Sequence, residues 1–145
     1  MIITISGKAN NPYAPLIDEL THLSQNDKKF LPKHFLFTED ALKFIKEHKK
    51  EINLIILNFD TPFNKNGEGT YLAGKKLYFD LLSITKEIII FSEYEIDEVV
   101  SHFKNENKKL DKKTNYFSFV SFNYNYLLNT ILKIVKKQTY SSQPR

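Results

Sequence analysis

Two short apolar runs stand out along the chain, Leu54 to Leu57 and Ile88 to Phe91. Each run is far too short to cross a membrane, and neither alternates with polar residues as a half-exposed strand does. Continuous runs of this length are typical of central strands in a parallel sheet that helices cover on both faces. We therefore predict a third strand that begins at Ile52 and ends at Asn58, and a fourth strand over residues 87–92.

Three further strands and five helices follow from the rest of the pattern. The other strands are predicted at Met1–Ser6, His34–Phe37 and Tyr116–Phe122. The helices are predicted to begin near Pro15, Thr38, Thr70, Ile96 and Leu127. Thr38 is interpreted as an N-cap because two acidic residues follow it. The inward face of the fourth helix is predicted from helical spacing to be Ile96, Val99, Val100 and Phe103.

The strict alternation of strands and helices predicts a doubly wound α/β fold. Right-handed crossovers with helices on both faces favour a five-stranded parallel sheet in the order 2-1-3-4-5. We expect one such domain over residues 1–137. The polar segment 138–145, which contains Pro144, is expected to be a disordered tail or the start of a linker.

Composition narrows the class of protein. The chain has 145 residues, is 41% hydrophobic and contains no cysteine, which excludes disulfides and favours a cytoplasmic location. Its apolar start lacks the basic residues of a signal peptide. The net charge of +4 invites a nucleic-acid partner, but every basic residue except Arg145 is lysine, which lacks the bidentate fork of arginine. We expect no membrane span, and a nucleic-acid partner is not favoured.

Polar side chains follow both central strands. In open α/β sheets, ligands bind at the carboxyl ends of the strands, which is where Asn58, Asp60 and Ser92 are predicted to lie. One interpretation is that these three side chains bind a small ligand. The alternative is that they close turns or cap helices, as Asn, Asp and Ser side chains commonly do.

Five segments together resemble a response-regulator receiver domain. They are T-E-D-A-L-K-F-I-K-E-H before the third strand, N-F-D-T-P after it, Gly74 with Leu77 and Leu81, I-I-I-F-S in the fourth strand, and F-N-Y-N-Y-L-L before the last helix. The resemblance extends from Ile2 to about Lys137. It implies the fold predicted above and a role in bacterial two-component signal transduction.

The residues that give a receiver its chemistry are absent. The resemblance places Asn58 where the phosphoacceptor aspartate belongs, and a carboxamide is no nucleophile for phosphoryl transfer. Ser6 and Gly7 stand where a pair of acidic residues would bind magnesium, which prefers carboxylate ligands. We therefore expect no metal and no cofactor. The histidines are scattered and predict no metal site either: His22, His34, His48 and His102.

Together with Asn58, Ser6 and Gly7, two other positions form the predicted counterpart of a receiver's phosphoacceptor pocket, which we call degenerate because its acidic residues are replaced. Ser92 matches the switch hydroxyl of a receiver, whereas the lysine that ends a receiver's fifth strand falls at about Val120–Ser121. Asp60 is an alternative acceptor, but it lies two residues too close to Pro62 for the D-x-x-x-P spacing. The predicted pocket thus consists of Ser6, Gly7, Asn58, Asp60 and Ser92.

Aromatic residues crowd the fourth and fifth structural units. Alternate residues of the fifth strand belong to the core, but aromatic enrichment beyond the core is also the mark of an interface. The candidate interface residues are Tyr94, Tyr116, Phe122, Tyr124 and Tyr126. They are predicted to lie on the face formed by the fourth helix, the fifth strand and the fifth helix. Simple burial of these rings is the alternative.

The leading hypothesis is a receiver-like signalling or scaffolding module that is not phosphorylated and binds a protein partner, or a second copy, through this face. An enzyme is the alternative, because L-N-F-D-T-P-F and G-E-G-T-Y-L-A-G are similar to segments of nucleoside 2-deoxyribosyltransferases. The nucleophilic glutamate that this second resemblance implies is missing, since Ala73 directly precedes Gly74. A basic nucleic-acid-binding accessory domain is a third hypothesis.

Overall fold

The computed structural model describes residues 1–7, 13–66 and 70–142. Within this part of the chain, five parallel strands form one sheet in the order β2-β1-β3-β4-β5. The strands are β1 (Ile2–Ile5), β2 (Pro32–Phe35), β3 (Leu54–Asn58), β4 (Ile88–Ser92) and β5 (Asn115–Ser118). This order and the parallel pairing confirm the predicted fold, with Asn58 at the carboxyl end of the central strand.

Five α-helices connect and cover the strands. They are α1 (Tyr13–Ser24), α2 (Thr38–His48), α3 (Thr70–Leu81), α4 (Ile96–Asn105) and α5 (Tyr124–Ser142). Two short 3₁₀ turns, Lys28–Phe30 and Lys49–Glu51, lead into β2 and β3. No helix among the described residues is both long and apolar enough to cross a bilayer.

The central strands are buried on both faces, as their continuous apolar runs predict. Ile55 and Leu57 of β3 belong to the core layer that α2, α3 and α4 cover. Leu54 and Ile56 belong to the opposite layer, beneath α1 and α5. All four side chains are fully buried. Each contributes about 1.5–3 kcal/mol by leaving water, which holds the carboxyl end of β3 in a fixed place.

Both edge strands differ from their predicted limits. β2 begins at Pro32 rather than His34. Pro32 favours a loop in the sequence pattern, but proline is tolerated at the first position of an edge strand. β5 ends at Ser118 rather than Phe122. The amide of Phe122 donates to the carbonyl of Ser118 at 3.0 Å, so the chain turns where the sequence pattern predicts further strand.

The amino terminus of α2 is closed by backbone rather than by the predicted N-cap. Thr38 is the first helical residue and Phe37 occupies the N-cap position without a side-chain hydrogen bond. The amides of Thr38 and Glu39 donate to the carbonyls of Pro62 and Phe63, each at 3.0 Å. The loop after β3 therefore packs directly on the start of α2.

α5 continues past the predicted end of the domain. Its backbone is helical through Ser142, five positions beyond the predicted limit at Lys137. No glycine or proline interrupts this segment before Pro144, and a residue that precedes proline is disfavoured in the helical conformation. The remainder of the predicted tail, 143–145, lies outside the described residues.

Two glycines allow close approaches at the carboxyl edge of the sheet. A Cβ atom on Gly74 of α3 would lie 2.2 Å from the carbonyl oxygen of Phe59, directly after β3. A Cβ atom on Gly7 would lie 2.6 Å from Cδ of Pro62. Glycine at these positions lets α3 and the loop after β3 both press against the ends of the central strands.

Candidate functional site: the carboxyl edge of the sheet and the face around β5

The predicted pocket residues Ser6 and Asn58 do meet at the carboxyl edge, where β1 and β3 end side by side. The Asn58 Nδ2 donates to Ser6 Oγ at 3.4 Å. The Asn58 Oδ1 accepts from the amide of Asp60 at 3.0 Å, and the hydroxyl of Thr61 donates to the Asn58 carbonyl at 2.7 Å. The carboxamide oxygen thus closes the turn that follows β3, and the carboxamide nitrogen links this turn to the end of β1.

The loop after β3 covers the remaining space beside β1. Thr61 is fully buried, and its hydroxyl lies 3.4 Å from the Ile5 carbonyl oxygen at the end of β1. The ring of Pro62 lies against Gly7. Protein atoms therefore fill the region between the ends of β1 and β3.

A magnesium ion does not fit this donor set. Ser6 and Gly7 supply no carboxylate, and the Asn58 carboxamide is already engaged in the turn. Among the described residues, no group of three or more histidine, aspartate or glutamate side chains is placed to hold a metal ion. Hard divalent cations need more anionic oxygen than this edge offers.

Ser92 closes a turn of its own at the end of β4. Its side chain is fully buried, and its Oγ accepts from the amide of Tyr94 at 3.2 Å. Ser92 pairs in register with Ser118, the last residue of β5. Val120–Ser121, predicted to correspond to a receiver's lysine, lie in the turn after β5. Ser118 is a buried hydroxyl that accepts from the Val120 amide at 3.2 Å.

Tyr13 is a residue of this edge that the sequence pattern does not reveal. Its ring is buried at the start of α1, with centroids 5.7 Å from Phe91 and 6.1 Å from His34. Burial raises the pKa of the Tyr13 phenol well above its usual value, and the nearby Asp60 carboxylate adds to the effect. A large aromatic side chain thus occupies the core beside the predicted pocket.

A cavity of about 220 Å³ lies beside Asp60 and Ser92, between α3 and α4. Its apolar wall is formed by Phe59, Val99 and Phe103. Its polar and charged lining consists of Asp60, Lys75, Ser92, Glu98 and His102, with Tyr94 at one side. Asp60 and Ser92 both line this cavity. The sequence motifs around them do not indicate that side chains of α3 and α4 line it as well.

The cation of this cavity is already paired. Lys75 donates to a carboxylate oxygen of Glu106, and its Nζ lies 3.1 Å from Nε2 of His102. The same His102 nitrogen lies 2.9 Å from Glu106. The hydrogen bond from Lys75 lowers the pKa of the Glu106 carboxyl below its usual value. These contacts tie α3 to the carboxyl end of α4 and leave the lysine little free charge for an anionic ligand.

The candidate interface residues divide into exposed and half-buried groups. Tyr94 is 39% exposed and Tyr126 is 64% exposed. Phe122 packs edge-on against Phe91 with centroids 5.4 Å apart, and Tyr124 is also half-buried. Burial raises the pKa of Tyr116 to about 12, and its hydroxyl donates to the Tyr94 carbonyl at 2.6 Å. Phe122, Tyr124 and Tyr116 are therefore mostly packed beneath the surface, whereas Tyr94 and Tyr126 are exposed on it.

α4 exposes apolar residues that were predicted to point inward. Val99 and Phe103 are buried, but Ile96 is 46% and Val100 is 43% exposed. Val120, in the turn after β5, is 78% exposed. The physical reason is that α4 covers the edge of the sheet, so only one side of its apolar face meets the core. We call Tyr94, Ile96, Val100, Val120 and Tyr126 the edge face.

Contacts across β5 hold the edge face together. The Tyr116 side chain of β5 bonds to the backbone at Tyr94, before α4. In the turn after β5, the Ser121 hydroxyl lies 3.3 Å from a carboxylate oxygen of Glu95. On α5, the ring of Tyr126 lies 5.7 Å from the ring of Phe117 of β5. The edge face therefore spans α4, β5 and α5.

Comparison with known proteins finds likeness in structure but not in sequence. No family profile matches the chain, and no curated protein matches its sequence. Among solved structures, a response regulator receiver domain from Clostridium thermocellum matches with a TM-score of 0.60 and 13% identity over 96% of each chain. The receiver domain of NtrX from Brucella abortus matches with a TM-score of 0.57 and 12% identity, over 94% of this chain and 98% of that one.

A third match is the BeF3-activated receiver domain of RstA from Klebsiella pneumoniae, with a TM-score of 0.53 and 13% identity. It covers 92% of this chain and 97% of that one. The chain therefore has the fold of response-regulator receiver domains along nearly its whole length, as the sequence motifs predict. At this level of identity the likeness defines the fold alone, and function rests on the residues described above.

Proposed function

We propose that this protein is a receiver-like signalling or scaffolding module that binds a protein partner through its edge face and does not use phosphoryl transfer. The observation that carries the proposal is the contrast between the two sites. Asn58, which the sequence resemblance assigns to the acceptor position, is a carboxamide that closes a turn, whereas large apolar side chains are exposed around β5.

The carboxyl edge supports the part of the proposal that concerns phosphoryl transfer. Asn58 has no carboxylate to form an acyl phosphate, and the loop at Thr61 and Pro62 fills the space beside β1. Asp60 is the remaining carboxylate near this turn, but its backbone is fixed by the Asn58 side chain two residues beyond the end of β3. Within the described part of the chain, no group of carboxylates is placed to bring magnesium and phosphate to it.

The edge face supports the part of the proposal that concerns binding of a protein partner. Scattered apolar residues on a surface need no explanation, but these lie on or next to three adjacent elements. A hydrogen bond from Tyr116 of β5 to the Tyr94 carbonyl and a ring contact from Phe117 of β5 to Tyr126 of α5 connect them. Tyrosine is among the residues that contribute most when buried at the centre of an interface. An interface here would bury tyrosine and aliphatic side chains without any change in the core.

The enzyme hypothesis gains no specific support. Its resemblance to nucleoside 2-deoxyribosyltransferases rests on residues 57–63 and 67–74, and the side chains of 67–72 lie outside the described part of the chain. The glutamate that this resemblance requires is missing from the sequence. The cavity beside Asp60 has its lysine paired with Glu106. We therefore retain the binding module as the proposed function.

Affinity capture from an extract of the source cells tests this proposal. We expect the wild-type protein to retain a specific partner and the double variant Val120→Ser, Tyr126→Ala to lose it, with a nearly unchanged thermal midpoint because both side chains are exposed. Asn58→Ala serves as the control and should still capture the partner. Loss of capture by Asn58→Ala alone, with the double variant unaffected, would move the function to the carboxyl edge.

A further inference from the structure

The cavity of about 220 Å³ between α3 and α4 is distinct from the filled space between β1 and β3. Thr61 and Pro62 fill the space beside β1. The cavity is lined instead by residues at the ends of β3 and β4, by Lys75 of α3 and by one side of α4. A cavity of roughly 150 Å³ can hold a benzene molecule. This one is therefore large enough for a single ring with a short arm.

The apolar wall of the cavity is largely aromatic. Phe59, Val99 and Phe103 are all buried, and the rings of Phe59 and Phe103 have centroids 6.0 Å apart. The Nζ atom of Lys75 lies 5.9 Å from the centre of the Phe103 ring. Aromatic rings pack well against another ring, and their faces attract cations. This wall suits a ligand that has an apolar body and a positive charge.

The charges that line the cavity are mostly negative. Its described lining includes two carboxylates, Asp60 and Glu98, and one lysine, Lys75. The lysine donates to a carboxylate oxygen of Glu106, and both groups contact His102. The positive charge of Lys75 is therefore matched within that cluster. An anionic ligand would be repelled by the two carboxylates, whereas a cationic ligand would be attracted.

Glu98 is the carboxylate most available to such a ligand. It is exposed, and it makes no ion pair with any other residue that the structure describes. Burial raises the pKa of Tyr116 to about 12, and the negative charges of Glu95, Asp60 and Glu98 add to this effect. Asp60 and Glu98 thus lie within electrostatic reach of the same group, which places their negative charges in one region of the molecule.

We propose that this cavity binds a small primary amine whose body is a single ring. The ammonium group lies beside Asp60 and Glu98 and can donate to both, because it carries three N–H donors. The ring packs against Phe59, Val99 and Phe103. The inference goes beyond the proposed function, since binding of a small amine requires no protein partner.

Titration with phenethylamine tests the site, followed in two-dimensional NMR spectra of the isotope-labelled chain. We expect a dissociation constant on the order of 1 mM or below, with shifts concentrated at Phe59, Val99 and Phe103. Phenethyl alcohol has nearly the same shape without the charge and should bind about fivefold more weakly or worse. Phenylacetate carries the opposite charge and should not bind.

Two variants remove the carboxylate charges with little change of shape. Asp60→Asn should weaken phenethylamine binding by about tenfold, because Asp60 is half-buried. Glu98→Gln should weaken it by about threefold, because an exposed charge is screened by water. Asp97→Asn removes an exposed carboxylate of α4 that does not line the cavity, and it should bind the amine like the wild type. Because Glu98 is exposed, Glu98→Gln carries the test even if Asp60→Asn fails to fold.

Three results would overturn the inference. The first is an absence of shifts at amine concentrations on the order of tens of millimolar, well above a millimolar dissociation constant. The second is binding of phenylacetate as strong as that of phenethylamine. The third is an unchanged amine affinity in Glu98→Gln and in a folded Asp60→Asn variant.

The outcomes also separate this inference from the proposed function. A chain that binds phenethylamine but captures no protein partner would contradict the proposed function alone. A chain that captures a partner through Val120 and Tyr126 but binds no amine would contradict this inference alone.

Discussion

Single polar residues at the carboxyl edge make their hydrogen bonds within the fold itself. Asn58 and Ser92 both use their side chains to close turns. The sequence predicts that these residues lie together and offers turn closure as one interpretation. It does not predict that Tyr13 fills the core beside them, because an isolated tyrosine at the start of a helix carries no motif.

The hydroxyl of Tyr13 is a test of how well this region is packed. Its oxygen is buried and has no hydrogen-bond partner among the described residues. Replacing both members of a hydrogen bond by apolar groups is nearly neutral, and removing an unpartnered hydroxyl should be favourable. We expect Tyr13→Phe to leave the free energy of unfolding unchanged or to raise it by about 1 kcal/mol, as measured by urea denaturation. A clear loss of stability would mean that the hydroxyl is bonded in solution.

His34 should make stability depend on pH. Burial lowers its pKa below the usual value, while its Nδ1 lies 2.7 Å from the Thr4 hydroxyl oxygen. The unfolded chain then binds a proton more readily than the folded chain, so stability is present above about pH 6.5 and is lost as pH falls below it. His34→Gln should show a smaller drop in urea midpoint between pH 7.5 and 5.5 than the wild type. The exposed His22→Gln variant is the control and should behave like the wild type. An equal drop in all three proteins would exclude this role for His34.

At the scale of elements, the close contact between α3 and the end of β3 positions the candidate site. An alanine at Gly74 would place its Cβ atom 2.2 Å from the backbone oxygen of Phe59, which cannot rotate away. Alanine normally favours a helix over glycine, but here we expect Gly74→Ala to destabilise the protein by about 1–3 kcal/mol. Thermal or urea unfolding measures the change, and Lys76→Ala at an exposed position of α3 is the control. A stabilised Gly74→Ala variant would show that this approach is looser than described.

Element boundaries show what the sequence could and could not predict. The apolar runs of β3 and β4 locate both central strands, because residues buried on both faces leave a continuous signal. The start of α2 was located, but the N-cap role of Thr38 was predicted wrongly, because the first amides of α2 donate to the carbonyls of Pro62 and Phe63, more than twenty positions away. The exposure of Ile96 and Val100 was missed because helical spacing reports one apolar face and not how much of it the core covers.

For the whole molecule, strand order and strand composition together decide which chemistry is available. The parallel sheet brings the ends of β1, β3 and β4 to one edge, as predicted. The residues delivered to that edge are Ser6, Asn58 and Ser92, none of which is a carboxylate. The same topology leaves β5 at the border of the sheet, so that α4 and α5 expose apolar side chains beside it. Under the proposed function, the edge face replaces the carboxyl edge as the working surface of this fold.

Treatment with acetyl phosphate and Mg²⁺, followed by intact-mass and peptide mass spectrometry, tests this account most directly. With a carboxamide at Asn58, and with no carboxylate pair placed to hold magnesium among the residues that the structure describes, we expect no phosphoryl group on the protein under conditions that fully modify an active receiver. The RstA receiver domain, which takes up beryllofluoride, is a suitable positive control. Stoichiometric phosphorylation, with the added mass on the peptide that contains Asp60, would contradict the account and identify the chain as an active receiver.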